Sequence, residues 1–98
     1  MVERNEISQH EVTVFRIVRE SHGWLTNRQI AERVNDAKVA ARTVRLHTQR
    51  LVALGIFDLA EVFPAHRYRL AEKASKRNRA YFQRLLAAED VFFSRAKA

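Results

Sequence analysis

Cysteine is absent from this chain of 98 residues, and glycine and proline are scarce, with 2 and 1 residues. Without cysteine the chain has no disulfide, no thiolate metal site and no cysteine nucleophile. So few glycines and prolines leave little room for a glycine-rich phosphate loop or for the many turns of an all-β fold. The sequence therefore predicts a mainly helical protein.

Long apolar runs are also missing. None approaches the roughly 18 residues of a membrane span, and the first residues lack the basic and apolar regions of a signal peptide. We therefore expect a cytoplasmic protein that does not bind membranes. A chain of 98 residues is about the size of one small domain, which argues against a two-domain enzyme with a cleft.

Acidic residues are unevenly distributed. The chain has 18 Lys and Arg against 11 Asp and Glu, a net charge of +7, and the whole excess lies in residues 37–98. No acid occurs between Asp36 and Asp58, although this stretch contains several basic residues. A solvated helix face usually mixes both signs, so a stretch of one sign favours a polyanionic partner.

Two capping boxes mark the first two helices. Ser8 followed by Glu11 predicts a helix from Gln9 to Ser21, in which the serine accepts a free amide and the glutamate reaches back to the cap. Thr26 followed by Gln29 predicts a second, shorter helix. Between the two helices, an apolar pair at 24–25 predicts a short extended piece that pairs as a minor strand or fills the core.

A third helix is predicted from Ala37 to Leu54, ending at Gly55, which adopts a left-handed cap at low cost. Its helical periodicity gives it two chemically different faces. One face packs through Val44, Thr48 and Leu51. The other face is basic and carries amide groups.

Two strand-like runs follow, Ile56–Val62 and His66–Leu70, which predict a β-hairpin around Pro64. In the second run arginines alternate with apolar residues, so that one face packs and the other presents guanidinium groups. From Ser75 to Arg95 the helical pattern returns with a wide apolar stripe.

The segments Leu25–Val34, Arg42–Ile56 and Tyr68–Leu70 resemble winged helix-turn-helix DNA-binding domains of prokaryotic transcriptional regulators, with the ArsR and MarR types closest in pattern. The resemblance covers Glu11–Leu70, and its most specific part runs from Thr43 into Ile56. It implies a mainly α fold with a small β-hairpin, that is, α+β, with a three-helix core, a wing and a long C-terminal helix. We expect the DNA-binding domain at 1–74 and the C-terminal helix at 75–98.

The same resemblance assigns DNA contacts. The candidates on the recognition helix are Lys38, Arg42, Thr43, Arg45, Leu46, Gln49 and Arg50, with Lys38 and Arg50 on phosphate. Those on the wing are His66, Arg67 and Arg69, which either enter the minor groove or follow the backbone.

The chemistry of the recognition helix agrees with this assignment. Arginine binds guanine O6 and N7, glutamine binds adenine N6 and N7, and Arg45 and Gln49 lie on one face. Leu46 either touches a thymine methyl or packs on the first helix.

The chain departs from the family pattern in two places. The spacing from Ala31 to Thr43 is a few residues longer than in the compact motif, which leaves the docking angle of the third helix open. Thr48 stands where a large aliphatic residue is usual.

The apolar stripe of the C-terminal helix is larger than a terminal helix needs. It could serve as an intramolecular core stripe, a dimer seam or a membrane-surface face, and we expect a homodimer, because a domain of roughly 70 residues already has its own core. The seam residues are Tyr81, Phe82, Leu85, Leu86, Ala88 and Phe92.

The sequence shows no enzyme site. The four histidines are scattered without ligand spacing, and the adjacent Glu89 and Asp90 diverge on a helix. No serine has a neighbouring base. We therefore expect no catalysis, metal or cofactor. We predict a homodimeric, nucleoid-associated transcriptional regulator that binds double-stranded DNA with sequence preference and acts as a repressor. The alternatives are a protein-interaction module and an architectural or RNA-binding protein of low specificity.

Overall fold

A computed structural model describes residues 7–34 and 40–94 of the chain. The elements in chain order are α1 (Gln9–Ser21), β1 (Leu25–Thr26), α2 (Asn27–Val34), α3 (Ala41–Ala53), β2 (Phe57–Ala60), β3 (Arg67–Leu70), α4 (Ala74–Arg77) and α5 (Arg79–Ser94). This order confirms the mainly helical α+β architecture with a hairpin after the third helix.

The capping residues of α1 and α2 act largely as predicted. The Ser8 hydroxyl accepts from the Glu11 amide at 3.1 Å. At the start of α2 both halves of the box are present, because the Gln29 amide donates to the Thr26 hydroxyl and the Thr26 amide donates to the Gln29 side chain. The prediction that the Glu11 carboxylate reaches back to the cap residue is wrong, because that carboxylate turns towards α3 and α5.

The predicted start of α3 at Ala37 is also wrong. Ala40 is extended, with φ −92° and ψ 166°, and the helix begins at Ala41. Alanine has no capping group, so the sequence carries no marker of this boundary. The predicted end is confirmed, because Gly55 is left-handed, with φ 82°. A Cβ atom at Gly55 would also lie 3.1 Å from the Cβ atom of Arg77.

The three strands form an antiparallel sheet in the order β1-β3-β2. Leu25 pairs with Tyr68, which confirms the 24–25 segment as part of a minor strand. Tyr68 is buried, whereas its neighbours Arg67 and Arg69 are exposed. The predicted alternation on β3 is therefore present, with an inner apolar face and an outer face of guanidinium groups.

The single C-terminal helix predicted from Ser75 is interrupted at Asn78, which has non-helical angles, φ −149° and ψ 75°. Its side-chain oxygen accepts from the Tyr81 amide at 3.3 Å, and its side-chain nitrogen donates to the Leu54 carbonyl at 3.2 Å. Asparagine is a favoured N-cap residue. Asn78 therefore starts α5 and also ties it to the end of α3.

The core is built around α1, through Val12, Phe15 and Val18. α5 joins the same core, because Leu85 is fully buried and Phe82 packs edge-on against Phe15, with ring centroids 5.9 Å apart. The C-terminal helix is thus packed against the winged region rather than standing away from it.

Candidate nucleic-acid interface

The two faces of α3 are separated as predicted. Val44, Thr48 and Leu51 are buried. The exposed side chains on the opposite face are Arg42, Arg45, Leu46 and Gln49, with Thr43 partly exposed beside them. No carboxylate of residues 7–34 or 40–94 pairs with Arg42 or Arg45. This face therefore offers arginine and amide donors to an external partner.

Thr48 is a buried residue whose hydroxyl stands where a large aliphatic side chain is usual. Its side chain is fully buried, and its hydroxyl donates to the Asn27 side-chain oxygen at 2.8 Å. Asn27 is the first residue of α2. Since a buried hydroxyl is costly without a partner, this bond satisfies Thr48 and also ties the start of α2 to the middle of α3.

Leu46 is 65% exposed. Of the two alternatives left open by the sequence, packing against the first helix is therefore wrong. An exposed leucine among polar groups that face solvent is available for an apolar contact with a partner.

Arg50 has a different setting from the other arginines of α3. Its Nε lies 3.4 Å from the Glu11 Oε1, and its guanidinium carbon lies 5.8 Å from the centroid of the Tyr81 ring. Contacts with Tyr81 and Glu11 raise the pKa of Arg50. Glu11 engages part of its charge, but the Arg50 side chain is 57% exposed, so its contact with phosphate stays a prediction.

Glu11 lies at the centre of these contacts, whereas its place in the capping box predicts only the return contact. The side chain is buried, the Tyr81 hydroxyl donates to it, and His47 Nδ1 lies 3.8 Å away. Burial raises the pKa of Glu11, but hydrogen bonds from His47 and Tyr81 and the charge of Arg50 outweigh burial and lower it overall. Burial and the bond to Glu11 raise the pKa of Tyr81.

A signal for this role was present in the sequence. Glu11 precedes Phe15 by four residues and Val18 by seven, which places it on the same apolar stripe of α1. An acid on such a stripe needs an internal partner.

The basic residues of the wing also divide into two kinds. Arg69 Nε lies 3.7 Å from Asp58 Oδ2, and its guanidinium carbon is 4.5 Å from the centroid of the Trp24 ring. Arg67 is exposed and pairs with no acid of the described segments. His66 is exposed just before β3. Of the three, Arg69 alone has a partner among the ion pairs and aromatic contacts of the described residues.

The first strand of the hairpin is shorter than predicted, because β2 ends at Ala60 and leaves Val62 at the tip, beside Phe63 of the predicted turn. Phe63 is 95% exposed and Val62 is 44% exposed. The sequence pattern predicts the turn around Pro64. The exposure of Val62 and Phe63 depends on where the strands end, and the pattern does not show it.

Part of the predicted dimer seam is buried in the core of the same chain. Tyr81 and Leu85 are only 8% and 0% exposed, so these two residues are not available for a partner. The remaining four, Phe82, Leu86, Ala88 and Phe92, are partly buried against the same core. The most exposed large apolar side chain of α5 is Val91, at 55%.

Lys38 lies outside the described residues, together with part of the longer spacing from Ala31 to Thr43. Within residues 7–34 and 40–94, no three acidic or histidine side chains cluster as metal ligands. In the same segments no helix is both long and apolar enough to cross a bilayer.

No protein-family model matches the sequence, and no curated protein matches it. Solved structures do match the fold. The YusO protein from Bacillus subtilis superimposes with a TM-score of 0.62 at 19% identity, over 92% of this chain. A MarR family protein from Bacillus stearothermophilus superimposes with a TM-score of 0.55 at 15% identity, over 86% of this chain.

The match covers 60% of the YusO chain and 57% of the MarR family chain, so this chain spans less than two thirds of either. At these identities the likeness concerns the fold. The chain has a MarR-like winged-helix fold, as the sequence resemblance indicated.

Proposed function

We propose that this protein binds double-stranded DNA with sequence preference and regulates transcription. The observation that carries the proposal is the exposed face of α3, where Arg42, Arg45 and Gln49 stand beside one another without acidic partners in the described segments. A helix fits the major groove, and these side chains match guanine and adenine edges. Leu46 adds a group suited to a thymine methyl.

The charge of the whole chain supports a polyanionic partner. A net charge of +7 on 98 residues favours association with phosphate. Such binding weakens as the salt concentration rises, because release of counterions from the nucleic acid then gains less free energy. On the wing we assign Arg67 to the phosphate backbone or minor groove, with His66 beside it. Lys38 belongs to the proposed phosphate contacts by its place before α3.

We further propose a homodimer that acts as a repressor by covering its site in the cytoplasm, on the nucleoid. Because Tyr81 and Leu85 are buried, the self-association surface must use the outer side of α5. Val91 and Phe92 line a shallow apolar groove there with Ile7, and the partly exposed Ala88 completes it. A two-fold dimer would present two copies of α3 to successive major grooves roughly 34 Å apart, which predicts an inverted-repeat site.

The test of DNA binding is a salt titration. Affinities for duplex DNA, for double-stranded RNA and for a random competitor are measured by fluorescence anisotropy at several salt concentrations. The wild type is compared with the double variant Arg42→Ala/Arg45→Ala and with Arg79→Ala as the control for loss of an exposed charge at the start of α5. We expect a preference for some duplex sequences that only the double variant loses.

Other outcomes would favour the alternatives. Equal affinity for all duplexes and for RNA would indicate an architectural or RNA-binding protein. No binding to nucleic acid at low salt would leave a protein-interaction module, since a winged-helix fold alone does not decide function.

The dimer is tested by sedimentation of the wild type and of Val91→Glu. A charge at this exposed position should dissociate the dimer without unfolding the chain, because Val91 contributes little to the core. A wild-type monomer at tens of micromolar would contradict the dimer and leave a single half-site as the target.

A further inference from the structure

The tip of the β2–β3 hairpin, residues 61–66, is apolar where a phosphate-binding wing would be basic. Within 61–65 it has no lysine or arginine, and its one charged residue is Glu61. A carboxylate repels phosphate, so the tip itself is unsuited to neutralising the DNA backbone. Its most prominent group is instead the aromatic ring of Phe63, which is 95% exposed.

We propose that Phe63 is a wedge that enters the minor groove, inserts between two base pairs and bends the duplex. This inference rests on the proposed DNA binding and adds how the DNA is deformed. Apolar side chains such as phenylalanine and proline insert in this way at the minor groove and kink the duplex. Insertion requires a ring whose two faces are both free, and a ring exposed to this degree meets that requirement.

The surroundings of Phe63 fit DNA better than a protein partner. Phe63, Val62, Trp24 and Arg67 line one shallow depression of about 460 Å³ on the hairpin. Arg67 supplies the positive charge that attracts phosphates next to the insertion point. A stable protein interface buries about 800 Å² on each partner, whereas this apolar surface is a few side chains at the end of a narrow hairpin.

The length of the hairpin also agrees with minor-groove entry. β2 begins a short turn after α3 ends, at Phe57. β2 is extended only as far as Ala60, so roughly 20 Å is the upper limit of the distance from Phe57 to Phe63. Neighbouring major and minor grooves are separated by about half of a helical turn, or roughly 17 Å. With α3 in the major groove, the tip is long enough to meet the next minor groove.

The experiment begins with selection of preferred duplexes by the full chain from a random 30-base-pair pool. Sites selected by the wild type should contain a flexible pyrimidine–purine step at a fixed distance from the bases read by α3, because such steps unstack most easily. Sites selected by Phe63→Ala should lose that step and keep the bases read by α3.

Bending is then measured on the selected duplex by energy transfer between dyes at its two ends. We expect the wild type to shorten the end-to-end distance and Phe63→Ala to leave the DNA straight, with affinity reduced about ten- to a hundred-fold. Phe63→Leu is the matched variant that keeps an apolar wedge and should retain most of the bend. Gln83→Ala, at an exposed position of α5 outside the hairpin, should change neither the affinity nor the bend.

The result separates the wedge from DNA binding itself. If the wild type binds the selected duplex without bending it, or if Phe63→Ala bends it equally, the wedge proposal is wrong and the DNA-binding proposal is unaffected. The exposed tip would then be assigned to a protein partner. If the wild type binds no duplex at low salt, both proposals fail together.

Discussion

Arg45 and Arg50 lie on the same helix, yet their surroundings differ. Arg45 projects into solvent, and no acid of the described segments pairs with it. Arg50 is held by Glu11 and lies beside the Tyr81 ring. One side of α3 is therefore open for a partner, and the other ties the helix to α1 and α5.

This comparison shows that a stretch without acids does not by itself identify free arginines. The acid that compensates Arg50 comes from α1, far away in the sequence, and is brought to α3 by the fold. The same holds on the wing, where Arg69 is engaged by Asp58 and Trp24 while Arg67 is not. An arginine without an internal partner is therefore the stronger candidate for a ligand contact, whereas a partly exposed arginine in an ion pair must first exchange a weak partner.

The largest effect on stability is expected from removing the buried contacts that tie α3 to α1 and α5. Glu11→Ala removes the ion pair with Arg50 and leaves the Tyr81 hydroxyl without its acceptor, which should lower the free energy of unfolding by about 2 to 4 kcal/mol. Glu20→Ala is the control, because Glu20 is an exposed acid of the same helix. Its loss should cost less than about 1 kcal/mol. Urea denaturation measures both, and equal costs would show that the Glu11 contacts contribute no more than a surface pair.

The next effect distinguishes the two arginines directly. Arg45→Ala should weaken binding to a preferred duplex by about 1 to 3 kcal/mol, with a much smaller loss on random DNA and no loss of stability. Arg50→Ala should lower stability by about 1 kcal/mol and affect DNA binding only slightly. Anisotropy titrations in matched salt, paired with urea curves, measure both properties. Equal loss of affinity on both sequences would reduce Arg45 to a phosphate contact.

Much of the fold could be predicted from local signals. The bounds of α1, the capping of α2, the end of α3 at Gly55 and the alternation on β3 each depend on residues near in sequence. The start of α3 and the break at Asn78 could not be predicted from the periodicity and cap signals of the sequence. Ala40 has no capping group, and Asn78 is fixed partly by the distant Leu54 carbonyl.

The parts of the candidate site that depend on local helical spacing could also be predicted. Helical spacing was enough to place Arg45 and Gln49 opposite Val44 and Leu51. It could not show that Arg50 is engaged or that Tyr81 and Leu85 are buried, because both facts depend on how α5 packs on α1. An acid on the apolar stripe of α1 indicates that Glu11 needs an internal partner, but helical spacing does not identify Arg50 or Tyr81 as that partner.

A smaller effect concerns pH. The pKa of Glu11 is lowered in the folded protein, so its ionised form stabilises the fold at pH values above the ordinary glutamate pKa. This contribution is lost as pH falls through the lowered pKa. We therefore expect the stability difference between the wild type and Glu11→Gln to be greatest near neutral pH and to shrink in acid. Thermal denaturation over a pH series measures this difference, and a constant difference would contradict the assigned ionisation.

The smallest effect is expected on the wing, where the same contrast between a free and an engaged arginine can be measured as a salt slope. Arg67→Ala should make the log–log dependence of affinity on salt shallower by about 0.9, the value for one lost phosphate contact. Arg69→Ala should change the slope less, because the Arg69 Nε lies 3.7 Å from the Asp58 carboxylate, which it shares with Arg77, and its guanidinium lies over the Trp24 ring. The two variants remove the same group from neighbouring outward positions of one strand, so each is the control for the other. Equal changes would show that DNA draws Arg69 away from its internal partners, whereas an unchanged slope in both would mean that this strand face points away from DNA.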